Sequence, residues 1–130
     1  MWGASRVTSE PKAILIVEDD EPTQNLLRVV LQREGYATTL VANGQQAIDK
    51  LQASPHYAAI VLDIMMPVAG GHAVMAFLES IPTAIPVVVC SAAGPAALRD
   101  FRGSAVKAIV RKPFEIDDLV SAVRRAASGE

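Results

Sequence analysis

Cysteine is nearly absent: Cys90 is the only one in 130 residues. That excludes an internal disulfide and a cysteine-built metal site. No apolar stretch approaches the ~18 residues of a transmembrane helix. Residues 1–12 lack the charged start and apolar centre of a secretory signal, so the cytoplasm is the expected compartment. Charge of one sign is not in excess. The net charge of −2 gives no general pull toward nucleic acid or an anionic membrane. No G-x-x-x-x-G-K-[ST] loop occurs, which argues against nucleotide binding. Internal repeats and low-complexity segments are missing as well. What the chain does have is 51% hydrophobic and 20% charged residues, enough for one globular domain with a sizeable core.

The stretch Ala58-Ala59-Ile60-Val61-Leu62-Asp63-Ile64-Met65-Met66-Pro67 organises the rest. Ala59 to Leu62 is apolar on both faces, as a buried strand of a parallel sheet should be. A bare carboxylate inside that strand would be costly, so Asp63 is expected where the strand emerges. Ligands of open α/β sheets bind at that end. A turn residue ahead of Pro67 is the competing reading of Asp63 on this stretch alone.

Taken in order, Met1 to Lys12 reads as a loose arm whose Trp2 either docks on the surface or is left from cloning. Ala13 to Val17 is a first strand that stops at Glu18-Asp19-Asp20-Glu21. Asp20 and Pro22 suit a helix start, and Leu26, Leu27, Val30 and Leu31 recur at helical spacing up to Gly35. Complementarity to the helix dipole explains Asp20 and Glu21 but not Glu18 and Asp19. Tyr36 to Ala42 is a more polar strand, expected near an edge. Asn43-Gly44 turns into a short helix carrying Ala47, Ile48 and Leu51. His56 and His72 read as solvated surface residues. Gly70-Gly71 gives the loop after Asp63 freedom to turn. A third helix follows with Val74, Met75 and Leu78. Pro86 to Cys90 is a buried strand ending at Ser91, with Cys90 a small core residue. Pro95 to Arg102 is a weak helix anchored by Leu98 and Phe101. Val106 to Val110 is the fifth strand, and Lys112-Pro113 follows it. Ile116, Leu119, Val120 and Val123 define the last helix, with Asp117 and Asp118 in its first turn and Arg124 and Arg125 in its last.

Five strands alternating with five helices predict a parallel sheet covered on both faces, with right-handed crossovers. In such a sheet the strand ends share one edge. Glu18, Asp19, Asp63, Ser91 and Lys112 then converge on one crevice. Phosphoryl transfer to a carboxylate suits that set: acids for a hard cation such as Mg2+, a carboxylate nucleophile, and an ammonium and a hydroxyl for phosphoryl oxygens.

These residues resemble the receiver domains of two-component response regulators. The matching pieces are Ile14-Leu15-Ile16-Val17-Glu18-Asp19-Asp20, Asn43-Gly44-Gln45-Gln46-Ala47, Leu62-Asp63-Ile64-Met65-Met66-Pro67 with Gly71, Ser91-Ala92 and Lys112-Pro113-Phe114. The resemblance runs from Lys12 to Ala127 and sets the expected domain at 13–127, behind a flexible arm of residues 1–12. It implies a flavodoxin-like doubly wound sheet of strand order 2-1-3-4-5. Asp63 would be the phosphoacceptor. Asp19 would ligate Mg2+ directly, Glu18 largely through water, and the Met65 carbonyl would complete the protein ligands. Ser91 and Lys112 would hold the phosphoryl group. Met65 and Ala93 would flank the path of a hydrolysing water and set the lifetime of the phosphate. Neither side chain can activate a water, so slow self-hydrolysis is expected.

Two positions depart from the family. Ile109 stands where a switching Tyr or Phe is usual, so Ser91 and movement of the helix from Pro95 are expected to carry more of the signal. Ala105-Val106 stands where a glycine-alanine pair is frequent. The implied phosphodonor is a sensor histidine kinase or a phosphotransfer protein; the output target is left open. A homodimer through the last strands and helices is a further expectation, and no nucleic acid or membrane partner is expected. The alternative function is a pseudo-receiver, an interaction module that works without phosphate. Loss of Asp19, Asp63 or Lys112 would have marked it, and none is lost. A flavin carrier on the same fold is rejected, because four acids after the first strand would repel a phosphate.

Overall fold

The computed structural model describes residues 11–66, 70–99, 103 and 105–129. Its elements in chain order are β1 (Ala13–Val17), α1 (Glu21–Arg33), β2 (Ala37–Val41), α2 (Gly44–Ala53), β3 (Ala59–Leu62), α3 (Gly71–Ser80), β4 (Val87–Ser91), α4 (Pro95–Leu98), β5 (Val106–Arg111) and α5 (Ile116–Ala127). All strand pairs are parallel, in the order β2-β1-β3-β4-β5. That is the expected order, with the polar β2 at an edge.

The side-chain period of two sorts each strand between two cores. Leu15 and Val17 of β1 join Ile60 and Leu62 of β3 beneath α2 and α3, with Val74, Leu78 and Leu51. Ile14, Ile16 and Val61 face the other way, against Leu27 and Leu31 of α1 and Leu119 and Val123 of α5. Both faces are therefore covered, and the three central strands β1, β3 and β4 read as near-continuous apolar runs, unlike the edge strands β2 and β5.

Local signals set the helix ends. The Asp20 side chain caps α1 by accepting the Thr23 N–H at 3.0 Å. Asn43 caps α2 by accepting from Gln46 N–H at 2.9 Å. Gly35 ends the α1 turn at φ 95, a left-handed conformation that favours glycine. Of the expected helix from Pro95 to Arg102, the first turn is described as α4, with Arg99 capping it; residues 100–102, with the anchor Phe101, lie outside the described residues, as do residues 1–10 of the arm.

One expectation is corrected in its reason. Gly71 does not supply an unusual backbone conformation. It permits close approach: a Cβ there would lie 2.7 Å from Ile64 Cγ2 and 2.9 Å from Ile64 Cα. The start of α3 is pressed against the residue after Asp63, so Gly71 holds the acceptor loop down. Gly71→Ala should destabilise the fold by roughly 2 kcal/mol, the size of an overpacking cost, and lower Tm by about 5–8 °C. Thermal melts of the two proteins check this; equal Tm values would show that the loop yields freely.

Candidate functional site

The carboxyl ends of the strands deliver the predicted residues to one crevice. Glu18 leaves β1 with its N–H on the Val41 carbonyl at 3.1 Å, and Asp63 leaves β3 with its N–H on the Val17 carbonyl at 3.0 Å. The sheet ladder thus carries on one step past each strand and fixes both carboxylates. The Lys112 N–H donates to the Ser91 carbonyl at 3.0 Å, which aims the lysine back over the sheet.

Lys112 is the hub. Its Nζ donates to Glu18 Oε1 at 2.6 Å and to Asp63 Oδ2 at 3.3 Å. The second oxygen of each acid takes a backbone donor: Glu18 Oε2 accepts the Asp20 N–H at 3.1 Å, and Asp63 Oδ1 accepts the Met65 N–H at 2.9 Å. Glu18 is 1% exposed and Asp63 6% exposed, while Asp19 is open to solvent. Carboxylate oxygens of Glu18, Asp19 and Asp63 lie within 4.8 Å of one another.

The electrostatics follow from this crowding. Burial lifts the Glu18 carboxyl above its ordinary range; the Lys112 bond and the Asp20 N–H pull it back, and the Asp63 charge lifts it again. Burial pushes the Lys112 ammonium down, but its bond to Glu18 and the charges of Asp63 and Glu18 outweigh that and hold it above its ordinary range. Three carboxylates thus share one ammonium, and the crevice keeps an excess of negative charge. A donor set of carboxylate oxygens with that excess fits a hard divalent cation, which takes oxygen ligands and retains water.

Ser91 closes β4 fully buried, and its Oγ accepts the Ala93 N–H at 3.2 Å. Met65 is 61% exposed beside the acceptor. Ala93, expected beside Met65 on the path of water, is 4% exposed and packs in the core beneath α2 and α3. Ile109 pairs in register with Val89 and lines a cavity of about 350 Å³ with Pro95, Leu98, Arg99 and Arg111. Cys90 lies behind the site, with burial pushing its thiol up to about 12; it is a core residue and not a nucleophile.

Sequence reasoning missed Gln24. Its side-chain amide donates to the carbonyls of Glu18 at 3.0 Å and Val41 at 3.1 Å, tying α1 to the acid loop. Its only sequence signal is a polar residue on the first turn of a helix that follows the acids.

The chain matches the family model "Response regulator receiver domain" over residues 14–124. It is 38% identical over 120 residues to the transcriptional regulatory protein ResD of Bacillus subtilis, covering 90% of this chain and 48% of ResD. It is 34% identical over 121 residues to the response regulator MprA of Mycolicibacterium vanbaalenii, covering 88% of this chain and 49% of that protein. It therefore spans about half the length of these curated relatives. Among solved structures, the receiver domain of the sensor histidine kinase PA1611 from Pseudomonas aeruginosa PAO1 superposes with a TM-score of 0.82 at 26% identity, covering 91% of this chain and 98% of that one. That structure has a magnesium ion coordinated in its active-site cleft. A family match over nearly the whole sheet, on a chain whose strand ends gather an acid trio around a lysine, leads to one assignment: this chain belongs to the response regulator receiver family.

Proposed function

We propose that Asp63 accepts a phosphoryl group from a phosphohistidine of a sensor kinase or phosphotransfer protein. The observation that carries this is the position of Asp63: a carboxylate 6% exposed at a strand end, held by Lys112 beside a second buried acid. A carboxylate oxygen of Asp63 attacks phosphorus as the P–N bond to the imidazole breaks, and the bonding pair returns to the ring nitrogen. The Met65 N–H fixes one Asp63 oxygen, which orients the group for attack. Lys112, already shared between two acids, turns its ammonium to the oxygens of the incoming phosphoryl group. Ser91 Oγ reaches those oxygens by giving up the Ala93 N–H, so phosphorylation is coupled to the loop ahead of α4. With no ring at Ile109 to rotate, that loop carries the switch. Glu18, Asp19, Asp63 and the Met65 carbonyl would hold Mg2+, whose chemistry when bound is neutralisation of charge on the transferring group. Met65, which is exposed, and Ala93, which is buried, are the two positions that would tune hydrolysis; neither side chain can activate a water, which supports a long-lived phosphorylated form.

The test is direct. A small phosphodonor with magnesium should add one phosphoryl group, seen by intact mass, and a chain that never takes up phosphate overturns the proposal. Metal binding has its own check. Magnesium at about ten times its Kd should stabilise by ~1.4 kcal/mol, a Tm rise of roughly 5 °C. Asp19→Asn changes an exposed side chain, so the fold should survive while most of that gain is lost. An equal rise in both proteins would exclude Asp19 as a ligand.

A further inference from the structure

Asp19 is the acid of the crevice whose side chain nothing holds. It is open to solvent, and among the described residues its carboxylate has neither a hydrogen-bond nor an ion-pair partner. Glu18 and Asp63, by contrast, are each held by Lys112 and by a backbone N–H. The place of Asp19 is therefore set by its backbone.

That backbone is fixed from α1. The Glu18 carbonyl belongs to the peptide that leads into Asp19, and it accepts from Gln24 Nε2 at 3.0 Å. An amide nitrogen carries two hydrogens, and the second goes to the Val41 carbonyl at 3.1 Å. The Val41 carbonyl also takes the Glu18 N–H at 3.1 Å. One carbonyl thus holds the backbone before Glu18 directly and the backbone after it through Gln24. The Val41–Ala42 peptide is itself anchored, since the Ala42 N–H donates to Gln46 Oε1 of α2 at 2.7 Å. Gln24 starts from a fixed origin too: it is half-buried on the first turn of α1, with its own N–H on the Asp20 carbonyl at 2.8 Å. It closes a ring that joins the ends of β1 and β2 to α1.

We infer that Gln24 is a positioning residue for magnesium: it sets the affinity of the crevice by fixing the peptide that carries Asp19. The inference rests on the magnesium site proposed above. Removing a group that holds a metal ligand in place typically costs ~10–100-fold in affinity. The Glu18 N–H and the Asp20 N–H keep their bonds when Gln24 is changed, so the loss belongs at the low end of that range.

Gln24→Met keeps an unbranched stem and removes both donors. Water can take the two carbonyls, so the fold should survive, but water does not tie them to α1. The magnesium Kd, measured by calorimetric titration, should rise about 10-fold. Gln24→Ala, which removes donors and stem but keeps helix propensity, should give the same rise. In the metal-free Gln24→Met protein the backbone order parameter of Asp19 should fall below that of rigid backbone, about 0.85. Leu31→Val is the control. It loosens a fully buried position of the same helix and should lower Tm while leaving Kd within about twofold, as a removed methylene far from the acids requires. Wild-type Kd in both Gln24 variants, with Asp19→Asn still weakening binding, would overturn the inference and leave the site standing. A Kd raised equally by Leu31→Val, or raised in Gln24→Met with the Asp19 order parameter unchanged, would also overturn it. A wild-type chain that binds no magnesium, or that binds it as tightly after Asp19→Asn, would overturn the site and the inference together.

Discussion

Asp63→Asn should take up no phosphate from a small phosphodonor under conditions that label the wild-type chain. An amide oxygen is a poor nucleophile, and no other carboxylate in the crevice is placed as Asp63 is. Glu18 spends both oxygens, on Lys112 and on the Asp20 N–H, and Asp19 is the solvent-exposed member of the trio. The substitution should leave the fold intact. Asn can still accept the Met65 N–H that now goes to Asp63 Oδ1. Its amide cannot attract Lys112 as the carboxylate does, but Lys112 keeps its shorter bond to Glu18. Removing one charge also takes away part of what lifts the Glu18 carboxyl. Without magnesium, Tm should therefore be equal to or above that of wild type, and the magnesium-induced rise should shrink. Loss of labelling with an undiminished Tm separates loss of chemistry from loss of structure. A phosphate adduct retained by the Asn protein would refute the assignment of Asp63.

The sequence made the sheet and the members of the site legible because both rest on short-range rules. The apolar run from Ala59 to Leu62 could bury both faces only inside a parallel sheet, and every residue in it is buried. Once five such runs alternate with helices, topology alone puts Glu18, Asp63, Ser91 and Lys112 on one edge. What the sequence did not reveal depends on distances across the fold. Gly71 looks like a turn residue from its neighbour Gly70; only the packed position of Ile64 shows that its missing side chain is what matters. Nor does the sequence show that the Ala93 N–H turns back to Ser91 Oγ, or that the Ala93 methyl group packs with the core residues beneath α2 and α3. The three acids and the lysine were visible as a set, but not that Lys112 sits closer to Glu18 than to Asp63. That preference comes from burial: Glu18 is the acid most removed from water and gains most from a cation.

The same preference makes Lys112→Met the most damaging single change expected for stability. Methionine keeps an unbranched apolar stem in place, so the loss is mainly that of the ammonium. Two buried carboxylates are left with only backbone donors. Breaking a fully buried pair by removing one partner costs ~3–5 kcal/mol; the Lys112 side chain is 19% exposed, and solvent screening lowers the figure to about 2–3 kcal/mol. The pH dependence fixes the sign. Burial already holds the Glu18 carboxyl above its ordinary value, with the Lys112 bond the largest influence drawing it down. Without that bond the carboxyl rises further. A carboxyl raised on folding contributes stability below its unfolded pKa and loses it as pH climbs through the folded one. The variant should accordingly fall furthest behind wild type at pH 7–8 and recover toward pH 5, where Glu18 is neutral for more of the time. In wild type the raised Lys112 ammonium keeps its contribution until the solution is strongly alkaline, so this pair adds little slope near neutrality. Chelator-treated samples melted from pH 5 to pH 8 measure the gap directly. Adding magnesium at pH 7.5 should then narrow it, since a divalent cation supplies the charge the ammonium gave, while labelling from a phosphodonor stays weak because the phosphoryl oxygens have lost their partner. A stability gap of constant size from pH 5 to pH 8 would mean that Lys112 acts through packing and not through its charge on Glu18.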